Sequence, residues 1–396
     1  MSPDAARAPM TAPVYLDNAA TTPVDPRVAA RMAECLTEAG VYGNPGSDAH
    51  EFGERAAERV ERARAQVAAA AGAEPGEVIW TSGATEANNL AVFGAAHYYR
   101  DAGRHVVTAR TEHRAVLDPC RELERRGWRV TYLVPDSGGG IDPGQVQAAL
   151  QGDTTLVSIM HVNNEIGVVQ DIAAIAAGCA RHGVARLHVD AAQSMGKCAI
   201  DFGAAGVDLM SLSAHKVHGP KGVGALLVSR RRDLQLQALQ FGGGQERGLR
   251  SGTVPTHQVV GMGEAFALAA AATAEGPRVA ALRDRLWQGL EAIGRVLRNG
   301  AAQNTVPQLL NVSFEEVEGE SLLAAVRAQV AVSTGSACAS AAREPSYVLR
   351  ALGRDERLAE SSLRFSLGRF TTPQDIEVAV EAVAAAVARL RRLAGA

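Results

Sequence analysis

The sequence predicts an α/β protein, with a mostly parallel seven-stranded sheet covered by helices and followed by a smaller α+β domain. Three observations support this prediction. Short apolar segments alternate with stretches of helical spacing from about residue 78 to residue 228. Long helices rich in alanine and leucine replace that alternation near residue 263. The 396 residues are 47% hydrophobic and 21% charged, which is enough apolar material for a large core.

Each predicted element follows from local pattern. Apolar segments bounded by turn residues predict strands at 78–81, 105–109, 130–133, 156–160, 187–189, 207–212 and 224–228. Helical spacing between them predicts helices at 86–99, 118–126, 145–150 and 172–182. The second domain is expected to contain helices over 264–274, 278–297 and 373–393, with strands near 311–314 and 363–366. We therefore predict a large domain over 17–262 and a small domain made of 1–16 and 263–396.

Composition narrows the class of protein. The formal net charge is −3, with both signs interspersed, so there is no basic stripe for nucleic acid. No apolar run is long enough to span a bilayer, and the first nine residues resemble a frayed tail rather than a signal peptide. Five widely spaced cysteines without a CxxC pair favour a reducing cytoplasm over a disulfide framework or a structural zinc site.

Lysine is scarce, which makes Lys216 conspicuous. Only three of the 40 basic residues are lysines, at 197, 216 and 221. Arginine stays protonated and cannot form a Schiff base, so any amine chemistry has three candidates. Lys216 follows an apolar strand and precedes a Gly/Pro-rich loop, which is where open α/β sheets place ligands. A solvated loop lysine is the alternative, but the neighbouring serine and histidine favour a functional role.

Polar clusters follow five of the predicted strands. The segment 81–86 turns into a helix whose free N–H groups favour a phosphate, although Thr85 could simply cap that helix. Asp190 ends an apolar strand, where a carboxylate needs a partner such as a protonated pyridine nitrogen or a following helix N-terminus. Further clusters lie at 111–114, 160–167 and 213–216. A single site at the carboxyl edge of the sheet accounts for all five.

Cys338 differs from the other cysteines. It lies in a run of very small residues, 332–343, that offers nothing large to anchor a core and predicts an exposed, mobile loop. An exposed thiol in a cytosolic enzyme is a candidate nucleophile.

Taken together, these segments resemble the pyridoxal-phosphate-dependent cysteine desulfurases, most closely the IscS-like members that serve bacterial iron–sulfur cluster assembly. The resemblance extends from residue 14 to about 391 and implies the type I fold of pyridoxal-phosphate-dependent transferases. Its specificity comes from many motifs in the same order. They lie at 14–23, 43–45, 81–86, 111–113, 161–171, 188–193, 213–224, 242–253, 333–340, 344–353 and 364–370.

The resemblance implies roles for individual residues. Lys216 would hold pyridoxal 5′-phosphate as a Schiff base, Asp190 would pair with the pyridine nitrogen, and Gln193 would bond the ring hydroxyl. His113 would stack on the ring and assist proton transfer, while Cys338 would accept the sulfur. The implied cofactor-binding set is Ala84, Thr85, His113, Asn164, Asp190, Gln193, Ser213, His215, Lys216 and Thr253.

Other implied roles concern the phosphate and the substrate. The phosphate would be held by the group Ala84, Thr85, Ser213 and His215. Thr253 of the partner subunit would reach the same phosphate, which implies a homodimer. Asn164 and Arg364 would hold the substrate carboxylate, consistent with the bidentate geometry of arginine.

The implied reaction converts L-cysteine to L-alanine and leaves a persulfide on Cys338. That sulfur would supply iron–sulfur cluster assembly and tRNA or cofactor thiolation, through an IscU-like scaffold protein and other acceptors. We expect no metal in the free enzyme, and the sequence does not decide whether Cys338 transiently ligates a cluster in a complex. We also expect no direct binding to nucleic acid or membrane.

The chain departs from the family pattern at a few positions. Ala214 stands where glycine is common, His218 where tyrosine is frequent, and Ala339 where threonine is usual. None of these removes an implied role. The chain ends at Ala396, without the further tail that helps many members dock a scaffold, so we expect scaffold transfer to be less secure than desulfuration.

Two other functions stay open at the level of sequence. A selenocysteine lyase, or another lyase or aminotransferase of this fold, would share Lys216 and Asp190 without needing Cys338. A sulfur-relay or scaffold-binding protein with a purely structural cofactor would show slow turnover and tight partner binding. A nucleic-acid-binding module would need a basic stripe that the sequence lacks.

Overall fold

The computed structural model describes residues 12–183, 185–230, 234–272, 275–334 and 345–395. Its strands, in chain order, are β1 (Val14–Tyr15), β2 (Val78–Thr81), β3 (His105–Ala109), β4 (Arg129–Leu133), β5 (Thr154–Ser158), β6 (Arg186–Asp190), β7 (Leu209–Ser213), β8 (Gly224–Val228), β9 (Val296–Asn299), β10 (Leu309–Phe314), β11 (Val330–Ala331) and β12 (Ser362–Ser366). Its α-helices are α1 (Pro26–Ala33), α2 (Glu51–Ala71), α3 (Ala84–Tyr99), α4 (Arg114–Arg125), α5 (Pro143–Ala149), α6 (Ile172–His182), α7 (Thr256–Ala271), α8 (Glu275–Glu291), α9 (Gly319–Val326), α10 (Tyr347–Ala351), α11 (Glu356–Glu360) and α12 (Pro373–Ala394).

The chain divides into two compact units. The larger covers residues 21–274 and 301–306, and the smaller covers the segments 1–20, 275–300 and 307–396, each with the gaps given above. These boundaries lie close to the predicted ones at 17 and 263, and the functional division into a large and a small domain stays a prediction.

The larger unit is built on a seven-stranded sheet with the order β2-β8-β7-β6-β5-β3-β4. Strands β4, β3, β5, β6 and β7 run parallel, and β8 pairs antiparallel with both β7 and β2. The predicted fold class is therefore confirmed. Both faces of the sheet are apolar: Val107 and Leu187 belong to one buried cluster, while Val106 and Leu156 belong to another. Helices cover both faces, as a parallel sheet requires.

Some element boundaries differ from the prediction for identifiable reasons. Strand β5 ends at Ser158 rather than at Met160, because the N–H of Met160 donates to Glu112 Oε1 (2.7 Å) instead of joining the ladder. Helix α4 begins at Arg114 rather than at 118, because His113 caps it. The sequence reading missed α1 and α2, whose buried face is mostly alanine and valine and packs in the same cluster as α7.

The smaller unit contains an antiparallel sheet with the order β12-β10-β9 and the short parallel pair β1–β11. Residues such as Leu310, Val312 and Phe365 form its core together with the apolar faces of α8 and α12. Helix α8 ends at Glu291, before the predicted 297, and the chain reverses at Gly294 (φ 75°) to enter β9. In the described parts of the chain, no helix has the length and hydropathy needed to cross a bilayer.

Candidate active site

Parallel strands β3, β5 and β6 deliver their carboxyl ends to one edge of the sheet, and side chains connect the loops that follow. Asn163 Nδ2 donates to the backbone oxygen of Thr111 (3.0 Å), and the N–H of His161 donates to the backbone oxygen of Asp190 (2.9 Å). Together with the bond from Met160 to Glu112, these contacts join the predicted clusters at 111–114, 160–167 and 188–193. The structure thus brings these three clusters together.

The remaining two clusters meet across β8. Gly224, the first residue of β8, pairs with Thr81 on one side and with Ser213 on the other. A Cβ at Gly224 would lie 2.5 Å from the backbone oxygen of Leu212 and 2.7 Å from the backbone of Gly83, so a side chain cannot fit there. The turn before α3 and the end of β7 therefore lie against the same glycine.

Hydrogen-bond donors for an anion lie at the start of α3 and at the end of β7. Helix α3 begins at Ala84 with Gly83 as its N-cap, and no side chain of the described residues caps it. Thr85 lies in the first turn, so the alternative in which Thr85 is the cap is wrong. Ser213 Oγ is buried and has no hydrogen-bond partner among the described residues. A buried hydroxyl without a partner beside an uncapped helix N-terminus suits a phosphate oxygen.

The first turn of α3 also carries an ion pair that the sequence reading missed. Glu86 Oε2 accepts from the N–H of Ser82 (2.7 Å), and Glu86 Oε1 accepts from Arg250 Nε (2.9 Å). Burial alone would raise the pKa of Glu86, but the hydrogen bonds from Arg250 and Ser82 bring that pKa below its usual value. Glu86 therefore stays ionised. It connects the turn before α3 to Arg250, which lies in the loop that leads to Thr253.

A second ion pair holds that loop from its other side. Glu246 forms a bidentate pair with Arg64 (both N···O distances 2.9 Å) and accepts from the N–H of Trp80 (2.8 Å). Thr253, at the end of the loop, is exposed. Phe241, in the same loop, is also exposed, with 79% of its surface accessible to solvent. The described chain thus presents Thr253 outward on a loop that is anchored at two points.

Lys216 follows β7 by three residues and is half-buried. Its charge acts on two predicted site residues, since it contributes to the lowered pKa values of His215 and His113. Burial is the main cause of the fall in the pKa of His215 to about 4, and Lys216 adds to it. His215 Nδ1 lies 3.1 Å from Thr21 Oγ1. The structure therefore places Lys216, His215 and His113 in one neighbourhood.

Asp190 ends β6 and is buried, with both carboxylate oxygens accepting hydrogen bonds. Oδ2 accepts from Asn88 Nδ2 (2.7 Å), and Oδ1 accepts from the N–H of Ala192 (2.9 Å). The following residues, 191–198, form turns rather than the helix that the capping alternative requires. That alternative is wrong, and Asp190 is held as a buried carboxylate at the edge of the sheet.

His113 caps α4 through its ring. Nδ1 accepts from the N–H of Ala115 (3.1 Å), so the neutral ring carries its proton on Nε2. Burial lowers the pKa of His113, the charge of Asp190 opposes that change, and the charge of Lys216 reinforces it. The imidazole is therefore neutral near pH 7, and its acceptor nitrogen, Nδ1, is engaged by the N–H of Ala115.

Glu112 lies beside His113 in sequence and is fully buried. Burial raises the pKa of its carboxyl well above the usual value, and the neighbouring charge of Asp190 adds to that rise. The Glu112 carboxyl therefore binds its proton more tightly than an exposed glutamate does. The sequence reading included Glu112 in a motif but gave it no role.

Gln193 and Asn164 are both buried at the same edge. Gln193 Oε1 accepts a hydrogen bond from Lys197 Nζ, which leaves Nε2 as the donor end of the amide. Asn164 follows Asn163, whose Oδ1 accepts from the N–H of Glu165 (2.9 Å) and holds the loop in place. Both predicted residues therefore lie in loops that follow strands at this edge of the sheet, Gln193 after β6 and Asn164 after β5.

The two remaining predicted residues belong to the smaller unit. Arg364 lies on β12, is buried, and donates through Nη2 to Asp17 Oδ1 (2.8 Å). Its backbone bonds to Ser333, one residue before Thr334, where the described segment ends. Cys338 lies within 335–344, outside the described residues.

The chain is similar to known proteins over most of its length. The family model described as aminotransferase class-V matches residues 14–378. A curated cysteine desulfurase IscS of Pectobacterium atrosepticum is 57% identical over 385 residues, covering 97% of this chain and 95% of the relative. The IscS of Photorhabdus laumondii is 55% identical with the same coverage.

Solved structures show the same likeness. A NifS-like protein superposes with a TM-score of 0.89 at 34% identity, covering 96% of this chain and all of the other. A structure described as SspA in complex with cysteine has a TM-score of 0.79 at 37% identity, covering 90% of this chain and 99% of the other.

Proposed function

We propose, from the premise that this chain belongs to the class-V aminotransferase family, that it is a pyridoxal-phosphate-dependent cysteine desulfurase. The reaction converts L-cysteine to L-alanine and transfers the sulfur to Cys338. The observation that carries the proposal is the position of Asp190 and Lys216, after the neighbouring strands β6 and β7, with His113 in electrostatic reach of both.

The described residues fit pyridoxal 5′-phosphate. The cofactor supplies an electron sink that stabilises negative charge at Cα of bound cysteine and makes its Cβ–S bond labile. Lys216 provides the amine that attaches it, and the Asp190 carboxylate matches a protonated pyridine nitrogen. The donor Nε2 of Gln193 matches the ring hydroxyl oxygen. The Ser213 hydroxyl, with Thr85, His215 and the backbone at Ala84, matches the phosphate.

Proton movement falls to His113 and Lys216. The imidazole of His113 is neutral near pH 7, because its pKa lies below the usual value, and it would take up a proton at Nδ1 only on releasing the N–H of Ala115. Lys216 would be the second acid–base group, because its amine can hold or release a proton whenever it is not attached to the cofactor. We assign the substrate carboxylate to Asn164 and Arg364.

The sulfur transfer balances without another reagent. The Cys338 thiolate attacks the sulfur of the substrate, and the Cβ–S electron pair stays with the substrate carbon. One proton then completes the methyl group of alanine at Cβ, and another replaces the proton lost from Cα. Cysteine and one enzyme thiol thus give alanine and one enzyme persulfide. The backbone hydrogen bonds between Arg364 and Ser333 support this assignment, since Ser333 lies five residues before Cys338 in the sequence and we assign Arg364 to the substrate carboxylate.

We further propose a homodimer in which Thr253 of the partner subunit contacts the phosphate. The outward position of this residue, on a loop held by two ion pairs, supports that arrangement. The described cysteines, Cys35, Cys120, Cys179 and Cys198, are free thiols, which fits a reducing cytoplasm. Sulfur acceptors would include an IscU-like scaffold protein, with Cys338 as the donor and as a transient cluster ligand in that complex.

The test is the release of alanine and sulfide from L-cysteine in the presence of a reductant, with wild type beside Cys338→Ser. We expect wild type to form both products and the variant to keep its cofactor absorbance but lose desulfuration by at least about a thousandfold. A variant as active as wild type would contradict the proposal and favour a lyase that releases sulfur or selenium directly.

A further inference from the structure

Asn88 is a buried amide in helix α3 that contacts the carboxylate assigned to the cofactor ring. Its Nδ2 donates to Asp190 Oδ2 at 2.7 Å, and both side chains are buried. The other carboxylate oxygen, Oδ1, accepts from the N–H of Ala192 (2.9 Å). The two donors come from different elements and fix the plane of the carboxylate at both oxygens.

The surroundings of Asn88 do not otherwise call for a polar side chain. Its helix neighbours Ala87, Leu90 and Ala91 are apolar and buried in a hydrophobic cluster. Asn88 Oδ1 is buried and has no hydrogen-bond partner among the described residues. An unpartnered buried carbonyl is unfavourable, so packing alone would prefer an apolar residue here. The single bond to Asp190 is what the amide contributes.

The orientation of the amide follows from the carboxylate. A reversed amide would set its carbonyl oxygen against Asp190 Oδ2, and two acceptors repel each other. Charge-assisted hydrogen bonds of this kind are short and strong, and the low dielectric of the site strengthens them further. Asn88, together with the N–H of Ala192, therefore limits the rotation of the Asp190 carboxylate.

We propose that Asn88 is a positioning residue for the cofactor, holding the Asp190 carboxylate so that it faces the pyridine nitrogen. The inference rests on the proposed function for the assignment of Asp190 to the cofactor ring. Asn88 acts through Asp190 and need not touch cofactor or substrate.

The test is the titration of cofactor-free protein with pyridoxal 5′-phosphate, followed by absorbance, for wild type and three variants. Asn88→Leu keeps the size and removes the donor, so we expect the dissociation constant to rise about ten- to a hundredfold. We expect kcat for cysteine to fall while KM changes by less than about twofold. Asn88→Asp, held protonated beside the Asp190 carboxylate, can donate the same bond and should keep the affinity within about threefold of wild type.

Val92→Ala is the matched control, because Val92 is fully buried one turn further along the same helix and belongs to the same cluster. It should lower the melting temperature of the cofactor-free protein while leaving cofactor affinity unchanged. Equal losses of affinity in Asn88→Leu and Val92→Ala would overturn the inference, as would an Asn88→Leu protein that binds cofactor like wild type. An Asn88→Asp protein as weak as Asn88→Leu would also overturn it.

Failure of the proposed function gives a different result. The titration needs neither cysteine nor Cys338, so a chain that binds the cofactor but does not desulfurate leaves the role of Asn88 intact. A wild-type protein that takes up no pyridoxal 5′-phosphate would refute both the proposed function and this inference.

Discussion

The two ends of the candidate site are built differently. We call Asn88, Glu112, His113 and Asp190 the ring end, and residues 82–85 with Ser213 and His215 the phosphate end. At the ring end, Asn88 Nδ2 donates to the buried carboxylate of Asp190, and the charge of Asp190 acts on the pKa values of Glu112 and His113. The phosphate end uses backbone N–H groups and short hydroxyls next to a glycine that allows close approach. The ring end is therefore made mostly of titratable side chains, whereas the phosphate end is made mostly of hydrogen-bond donors.

The largest expected effect comes from substituting Lys216, which we propose attaches the cofactor. Lys216→Ala removes the amine that attaches the cofactor, so we expect at least about a thousandfold loss of desulfuration and loss of the absorbance of the lysine-bound cofactor. Lys221→Ala is the matched control, because Lys221 is an exposed loop residue five positions later. A colourless Lys221→Ala protein would contradict the assignment of Lys216.

One substitution at each end should distinguish an effect on turnover of cysteine from an effect on binding of the cofactor. Asp190→Asn takes the negative charge from the ring end, so we expect kcat to fall by about a hundredfold or more. Ser213→Ala removes a hydroxyl that has no partner in the described structure, so the cofactor-free protein should keep its melting temperature. Its dissociation constant for pyridoxal 5′-phosphate should rise about tenfold.

Cofactor titration, steady-state kinetics and differential scanning fluorimetry of the two variants measure these effects. If Ser213→Ala lowered the melting temperature of the cofactor-free protein by several degrees, the hydroxyl would have a structural partner and the contrast between the two ends would be lost.

The smallest effects concern two glutamates whose pKa values shift in opposite directions. At the ring end, burial raises the pKa of Glu112, so the folded state binds a proton that the unfolded state releases above about pH 4.3. Wild-type stability therefore falls as pH rises from that value towards the raised pKa. We expect Glu112→Gln to melt higher relative to wild type at pH 8 than at pH 5, by on the order of 2 °C.

Glu86 gives the opposite sign at the phosphate end. Its pKa is lowered in the folded state, despite burial, by the bonds from Arg250 and Ser82. Its contribution to stability is present above its unfolded pKa and is lost as pH falls through the folded pKa. Glu86→Gln should therefore be more destabilising at pH 8 than at pH 4, as read by the same melting curves. If the melting temperatures of both variants, each relative to wild type, changed with pH in the same direction, the contrast between the two ends would be contradicted.

The sequence could predict the fold and the phosphate end because both depend on local pattern. Strand–helix alternation implies a parallel sheet, and the carboxyl ends of parallel strands meet at one edge, so residues such as Lys216 and Asp190 could be placed together. The same local pattern predicts the following helix from residue 86, two residues after its observed start at Ala84. Helix α2 escaped prediction because alanines form much of its buried face and contrast weakly with its exposed face.

The ring end depended on information that local pattern does not contain. Asn88 contributes only because the buried face of α3 meets the end of β6, and the pKa of Glu112 rises only because the folded chain excludes water from its carboxyl. Neither residue carries a local signature, since an asparagine in a helix or a glutamate after a strand is commonly exposed. Tertiary contact decided both roles.

The bond from Asn88 to Asp190 has a consequence for the order of folding. It joins residues 102 positions apart. Closing so long a loop is slow compared with forming a helix, and the bond can form only after β6 has found its place in the sheet. An early folding species with α3 already helical would therefore lack an oriented Asp190. Competence to bind the cofactor should appear late, together with assembly of the central strands, and cofactor uptake during refolding would report that step.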